Sequence, residues 1–458
     1  MEYIDAKRAS ELVAGADRLD RKEIEALAAQ RLRFLVDYAR EHSPYLKQKY
    51  AALGKEYSLS DIPVSTRAEM TQHFDRWVCD SEVTSESINS YMSDFENLFT
   101  PFLGKYSVLS TSGTTAAPLR VVRDARHNAV HGALMAQRYF HGPLLKDVPG
   151  LDAPDLKQCA IIAPGGFNSS YVSFERMRRS YEARGIGDRA LFLSTLMPVN
   201  QLVQELNAFQ PDIIGCYPSM IYTLAFEQRD GRLNIHPRMI GCSAEKIPEE
   251  NRRFISEVFG CPVNDNYCST EGGEVAMLCP NGHMHINSDW VIVEPVDMDN
   301  NPVPCGVQSD GILMTNLACL VQPVIRYRMS DRIILHDESC GCGLNTPWLE
   351  IEGRVEDILE FEKDGATTRI AGLLFEVATK GIPGRDHCQV IQRAPDAIEL
   401  RITSLLGYDR ASIVDQAITA IRKLLSDNEL DYIKVTFVNQ PLVRTKSGKF
   451  RIAFKEFF

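Results

Sequence analysis

The sequence contains no run of about 20 apolar residues, the length a helix needs to cross a bilayer, so no membrane-spanning helix is expected. It also has no long Lys/Arg run and carries a formal charge of −11, which argues against nucleic-acid binding through a basic surface. The first residues, Met1-Glu-Tyr-Ile-Asp-Ala-Lys-Arg8, are charged and lack the apolar core of a signal peptide, making the cytoplasm the expected compartment. Internal repeats, low-complexity tracts and the Gly-x4-Gly-Lys-Ser/Thr spacing of a Walker loop are absent as well. What remains is an ordinary globular composition, 44% hydrophobic and 24% charged. At 458 residues the chain is too long for one compact core and predicts two or three domains. Its twelve cysteines are expected to be reduced, most of them as small buried hydrophobes. Cys340-Gly-Cys342-Gly is different, because a glycine-rich turn gives two thiols little reason for burial.

Apolar residues at helical spacing, Ile24, Leu27, Leu32, Leu35 and Val36 among them, predict a helix over 21–53. Ser65-Thr-Arg-Ala-Glu69 reads as a capped helix start, and His127 to Arg138 as a further helix. The middle of the chain alternates. Buried strands are predicted at Gln158–Ala163, Asp212–Cys216, Arg238–Cys242 and Pro262–Tyr267, with a helix over Glu249–Phe259 before the last. This is an α/β pattern with a mostly parallel sheet, in which ligands sit beyond the strand C-termini. Val291 to Leu335 is β-rich, predicting an antiparallel sheet or small barrel. A compact α+β segment follows a linker near Gly353–Asp357, with strands at His387–Ile391, Ala397–Ile402 and Ile433–Phe437 and a helix over Ala411–Ser426.

The chemistry is concentrated in short islands. Ser110-Thr-Ser-Gly-Thr-Thr115 offers hydroxyls and backbone N–H groups that can turn around anionic oxygens, and Gly113 permits close backbone approach. The same composition also makes ordinary surface turns. Tyr267-Cys-Ser-Thr-Glu271-Gly-Gly places a carboxylate beside hydroxyls at a strand end, and Tyr327-Arg-Met-Ser-Asp331 closes another strand with a carboxylate. Gly353-Arg354-Val-Glu-Asp357 lies at the domain boundary, and Ser447-Gly-Lys449 puts a lysine after a glycine. Taken singly, Glu271 reads as a helix-starting acid, Asp331 as a turn residue, Arg354 as a linker ion pair and Lys449 as a solvated charge.

In this order the islands resemble the adenylate-forming superfamily, and within it the branch of phenylacetate–CoA ligases and synthetases that adenylate a deazaflavin coenzyme. Ser43-Pro-Tyr-Leu, Ile62-Pro-Val-Ser-Thr-Arg67 and Gln322-Pro-Val-Ile-Arg-Tyr327 carry the resemblance across nearly the whole chain. It implies a large adenylate-forming domain, 1–353, of parallel sheets plus a β-rich subdomain. A small, mobile α+β lid, 354–458, would carry the catalytic lysine. It implies ATP-dependent activation of a carboxylic acid, an aromatic one by expectation, as an acyl-adenylate with release of pyrophosphate. The acyl group then passes to a thiol, that of CoA, or alternatively to an amine, an alcohol or a carrier-protein thiol. By motif, Thr111, Ser112, Gly113, Thr114 and Thr115 would cradle the β- and γ-phosphates, Thr270 would contact the α-phosphate and Glu271 would hold Mg²⁺. Ser243, Ala244 and Glu245 would line the adenine with Tyr267 nearby, Asp331 would bind the ribose and Arg354 would support the nucleotide. Lys449 would bridge carboxylate and α-phosphate oxygens. The relatives' Ile-Lys-x-x-Gly segment after the boundary Asp is replaced here by Asp357-Ile-Leu-Glu-Phe-Glu, which leaves CoA as acceptor less firmly implied than adenylation. A homodimer is left open.

Cys279, His285, Cys340 and Cys342 flank the β-rich segment and together supply the three thiolates and one imidazole of a closed, structural zinc site. Related ligases carry Cys/His pairs at these places, and their pattern selects His285 over His283. Free thiols in turns are the alternative reading. The acyl pocket is expected from Gly165, Phe167, Tyr171, Tyr217, Pro218 and the turn at Gly241, apolar walls with few polar groups.

Overall fold

The computed structural model describes residues 4–458 apart from 112–118, 163–165, 196, 198, 355–357, 364–365, 380–381, 406, 445–450 and 457–458. The chain divides into two compact units, Met1–Glu352 and Gly353–Phe458.

The first unit opens with helices Ala6–Ala16 and Arg21–His42, the second held at its start by a reciprocal capping box between Asp20 and Glu23. The helix predicted over 21–53 is two. Ser43 ends one and caps the next, Pro44–Lys49, with Pro44 in the first turn where its missing N–H leaves no partner unsatisfied. The capped start read at Ser65–Glu69 is present, with Thr66 capping the helix Arg67–Gln72 through a box to Glu69. The helix expected from His127 begins two residues earlier, at Ala125 behind the Asp124 cap, and runs to Leu134 before a π-helical turn over Met135–Phe140.

The strands of this unit are β1 (Ser107–Ser110), β2 (Arg120–Arg123), β3 (Gln158–Ile162), β4 (Ala190–Ser194), β5 (Ile213–Cys216), β6 (Met239–Ser243) and β7 (Val263–Ser269). They continue as β8 (Gly273–Leu278), β9 (Met284–Ile286), β10 (Val291–Val296), β11 (Gly311–Asn316), β12 (Val324–Met329), β13 (Asp331–His336) and β14 (Trp348–Arg354). Nine form one sheet in the order β13-β14-β9-β8-β7-β6-β5-β3-β4. Strands β4, β3, β5, β6 and β7 are parallel, and β8 and β9 run antiparallel beyond them. Both faces of the parallel part are buried, which explains its Ile- and Cys-rich runs. On one side Ile161, Ile214, Ile240 and Val263 pack with Leu206, Leu224 and Ile255 from the helices Val199–Phe209, Pro218–Arg229 and Glu249–Phe259.

The β-rich stretch does not close into a barrel. Strands β10, β11 and β12 form a three-stranded antiparallel sheet, whereas β13 leaves it for the edge of the large one. A bulge lies between Met314 and Asn316, and Arg326 opposite it takes a left-handed backbone, φ 43°. Buried Arg326 pairs twice with Glu294, at 2.9 and 3.0 Å, and donates to the carbonyls of Ser60 (3.0 Å) and Ile62 (2.6 Å). Its own carbonyl accepts from Ser65 N, and Ser65 O accepts from Arg328 N, so this one side chain locks the segment before Arg67 onto β12. Replacing Arg326 by Ala strands a half-buried carboxylate and two carbonyls. The expected cost is about 3–5 kcal/mol, read as a lower urea midpoint at unchanged slope. A midpoint equal to wild type would remove the arginine from this structural role.

The second unit holds a hairpin of β15 (Ile358–Lys363) and β16 (Ala366–Ala371) and a four-stranded sheet of β17 (Arg385–Ala394), β18 (Ala397–Ser404), β19 (Lys434–Phe437) and β20 (Ala453–Lys455), ordered β19-β18-β17-β20. The helix Arg410–Ser426 follows an Asp409 cap, and its Ile413, Ala417, Ile421 and Leu425 pack with Val390, Ile398 and Leu400.

Candidate functional site

The parallel strands deliver their C-terminal ends to one edge, and the islands of the sequence fall there. Phe167 follows β3, Tyr217 and Pro218 follow β5, Ser243-Ala-Glu245 ends β6, and Tyr267–Glu271 ends β7. Ser243 pairs in register with Asn266, so the segment expected to line adenine lies beside the residue before Tyr267. Ala244 leaves the strand with φ 71°.

Glu271 sits in the tight turn between β7 and β8, a turn that two glycines permit. A Cβ on Gly272 would collide with Met314 and Ser269, and Gly273 has φ 73°. The turn is tied on several sides. Gly272 N donates to Ser269 Oγ at 2.8 Å, Arg123 donates to the carbonyl of Thr270 at 2.7 Å, and Asn316 Nδ2 donates to the carbonyl of Glu271 at 3.0 Å. The Glu271 side chain is left to face Tyr327 of β12, whose hydroxyl donates to its Oε1 at 3.4 Å. Glu271 is only 8% exposed. Burial and the Glu271 carboxylate push the Tyr327 phenol above its ordinary range, while Arg67 pulls it down.

Arg67 also reaches the hydroxyl-rich hairpin. Its Nη2 donates to Thr111 Oγ1 at 3.4 Å, and the same oxygen accepts from Leu119 N at 2.9 Å. Thr111 N donates to Leu119 O at 3.0 Å, and Ser110 N to Phe167 O at 2.8 Å. Thr111, Arg67, Tyr327, Glu271 and Thr270 are thus brought into one connected group. Asp331 is buried, but it opens β13 rather than closing the preceding strand, which ends at Met329. Ser112, Gly113, Thr114, Thr115, Gly165 and Lys449 lie outside the described residues, as does the side chain of Arg354.

Among the residues expected around the acyl group, Tyr171 meets Phe192 edge-on at 5.5 Å, and Tyr217 belongs to the same apolar cluster with Phe174. Phe167 packs instead on Tyr91 (5.6 Å) and Phe95 (6.3 Å). Gly241 is not in a turn. It is buried inside β6, where any Cβ would collide with the hydroxyl of Tyr139. Its smallness serves helix–sheet packing. Arg67, Arg123, Asn316 and His127 carry no role in the sequence reading, and the one visible signal is a basic residue, Arg123, ending an apolar Val-Val strand.

A second cluster stands at the β8–β9 side of the sheet. The ligand atoms of Cys279, His285, Cys340 and Cys342 all lie within 4.8 Å of one another. Cys279 Sγ and Cys340 Sγ are 3.9 Å apart, and His285 Nε2 is 3.0 and 3.3 Å from the sulfurs of Cys340 and Cys342. A tetrahedral zinc with Zn–S of about 2.3 Å sets its sulfurs about 3.8 Å apart, so the donor set fits. His285 Nδ1 donates to the carbonyl of Thr346 at 2.9 Å, which fixes the tautomer and turns the bare Nε2 toward the thiols. Burial pushes the metal-free Cys342 thiol up to about 12 and the His285 imidazole down. A dication would reverse the first of these preferences.

No protein-family model matches the chain. It is 24% identical over 367 residues to phenylacetate-coenzyme A ligase of Thermus thermophilus, covering 75% of this chain and 73% of that one. A 175-residue stretch is 25% identical to protein CapK of Staphylococcus aureus, a match spanning 37% of each chain. Among solved structures, 2-hydroxyisobutyryl-CoA ligase in its postadenylation state superposes with a TM-score of 0.69 over 96% of this chain and 91% of that one, at 19% identity. The chain shares the fold of that ligase. Within that fold the edge bearing Glu271, Thr111 and Tyr327 is the C-terminal edge of the parallel strands, where α/β sheets bind ligands. Among the described residues no helix is long and apolar enough to cross a membrane.

Proposed function

We propose that the protein is an AMP-forming acid–thiol ligase, which activates a carboxylic acid with ATP and transfers the acyl group to CoA. The observation that carries the reading is the junction of Thr111, Arg67, Tyr327 and Glu271 at the sheet edge, in a chain of this fold. The acid is an aromatic one, with Tyr171 and Tyr217 near its ring.

The carboxylate of the acid attacks the α-phosphorus in line, and pyrophosphate leaves. The residues of the chain hold the triphosphate against its own charge. Thr111 with Ser112–Thr115 and Arg67 face the β- and γ-phosphates, and Thr270 the α-phosphate. Buried Glu271 suits a hard cation such as Mg²⁺, which when bound neutralises phosphate charge. Ser243–Glu245 and Tyr267 face the base, Asp331 the ribose, and Arg354 supports the nucleotide. Lys449 supplies the cation that offsets charge developing between carboxylate and α-phosphate, and residues 354–458 serve as the lid that brings it. Zinc is assigned to Cys279, His285, Cys340 and Cys342 as a structural ion that ties 340–342 to β9, with all four positions taken by the protein.

A screen of pyrophosphate release over aryl and short-chain acids, with and without CoA, tests this directly. Release that depends on an aryl acid and yields a CoA thioester is expected. Release that needs an amine and gives no thioester would reassign the acceptor. In the same assay Lys449→Ala is expected to lower release about a hundredfold or more. Unimpaired release would take the lysine out of the chemistry.

A further inference from the structure

Behind the Glu271 turn lies a buried polar group to which the proposed reaction gives no part. Asn316, on β11, is 1% exposed. Its Nδ2 donates to the Glu271 carbonyl at 3.0 Å and stands 3.3 Å from His127 Nδ1, while its Oδ1 accepts from Ala318 N at 3.0 Å. A carbonyl can only accept and a backbone N–H can only donate, so these two partners fix which way the amide points. One hydrogen of Nδ2 serves Glu271, and the other faces His127. His127 Nδ1 must therefore accept, which requires a neutral ring protonated at Nε2.

The surroundings favour that state. His127 is 3% exposed and stacks on His131 with ring centroids 6.4 Å apart. Burial, with Arg123, His131 and Arg126 nearby, holds its imidazole well below the ordinary range. Glu274, a further titratable group here, is held by Asn266 Nδ2 and lies 3.3 Å from His131 Nδ1. The ring also touches the turn itself, since a Cβ on Gly273 would come within 3.0 Å of His127 Cε1. His127, His131, Gly272, Glu274 and Asn316 line one small cavity.

We infer that His127 and Asn316 are positioning residues for Glu271: the bare Nδ1 of His127 orients the Asn316 amide, and that amide holds the backbone from which the Glu271 carboxylate projects. The inference rests on the proposed role of Glu271 in holding Mg²⁺ with the nucleotide. Its test exploits a match of atoms. In His127→Asn the side-chain oxygen can occupy the place of Nδ1, whereas His127→Leu fills comparable space with no acceptor.

Acid-dependent ATP–pyrophosphate exchange is measured against Mg²⁺, alongside deuterium exchange of the amides of 271–274. His127→Leu is expected to raise the half-saturating Mg²⁺ about tenfold, to leave KM for the acid unchanged and to speed amide exchange in the turn. His127→Asn is expected to stay near wild type in both readouts. Adding His127→Leu to Asn316→Leu is expected to do no further harm, since both break one linkage. A mere packing role predicts the opposite order, because Asn leaves a void and a buried amide where Leu leaves neither. Wild-type behaviour of His127→Leu, or a worse His127→Asn, overturns the inference. Should the wild-type protein exchange with no acid at all, the functional reading fails instead. The amide exchange then decides alone, and unchanged protection of 271–274 in His127→Leu rejects the positioning role.

Discussion

Glu271→Gln is expected to lower acid-dependent pyrophosphate release by about 10²–10³, with little change in melting temperature. Gln keeps the size of the side chain and an oxygen for the Tyr327 hydroxyl, which now donates to Glu271 Oε1 at 3.4 Å. The Arg123 and Asn316 contacts to the turn involve backbone carbonyls and survive the change. Only the charge is lost. A buried carboxylate beside a phosphate site is tolerable if a cation shares the site, so the defect should appear as weaker dependence on Mg²⁺, with ATP binding in its absence hardly altered. The measurement is exchange over a Mg²⁺ series, with calorimetric melting as the control for folding. Full activity at ordinary Mg²⁺ would show that the carboxylate is a structural acid of the turn. Tyr327→Phe, which removes one long hydrogen bond and no charge, is expected to cost far less.

The sheet is legible in the sequence because its strands are buried on both faces. Ile213–Cys216 and Met239–Ser243 are short apolar runs that end in Gly, Pro or Ser, and the helix Glu249–Phe259 has a strong apolar stripe and a glycine, φ 67°, directly after it. Strand β4 escapes notice because Ala190–Ser194 is a short edge strand with an ordinary burial pattern. The destination of β13 escapes notice for another reason: alternation reports that Asp331–His336 is a strand but not which sheet it joins. The same limit governs the site. Thr270 and Glu271 stand out because they precede two glycines at a strand end. Arg67, Asn316 and His127 do not, since each matters only through a partner 44 to 189 positions away, and nothing local marks such a pairing. Gly241 illustrates the converse error, a glycine read as a turn that is small because Tyr139 lies over it.

The zinc assignment gives the other large effect. The protein is expected to carry about one zinc per chain when purified without chelator, and Cys340→Ser to carry none. The sulfur of Cys340 stands 3.0 Å from His285 Nε2 and 3.9 Å from Cys279 Sγ, and its loss leaves three of the four donors. What the ion would hold is the turn over residues 338–347. These residues form no strand or helix and are tied down by single hydrogen bonds, among them Asn281 Nδ2 to Cys340 O, Asn345 Nδ2 to Leu19 O and Trp348 Nε1 to Glu338 O. Free energy of structural zinc binding reaches about 10–16 kcal/mol in small peptides, but a large unit with its own core retains most of its structure without the ion. A loss of about 3 kcal/mol is therefore expected, which lowers the melting temperature by about 4 °C for a unit that runs from Met1 to Glu352. Strong chelators should shift the wild-type protein in the same direction and leave Cys340→Ser where it is. Elemental analysis and scanning calorimetry on both proteins measure the two effects separately. A full complement of zinc in Cys340→Ser would send the metal elsewhere. Equal melting with no zinc in either protein would reduce the four side chains to packed thiols around an imidazole.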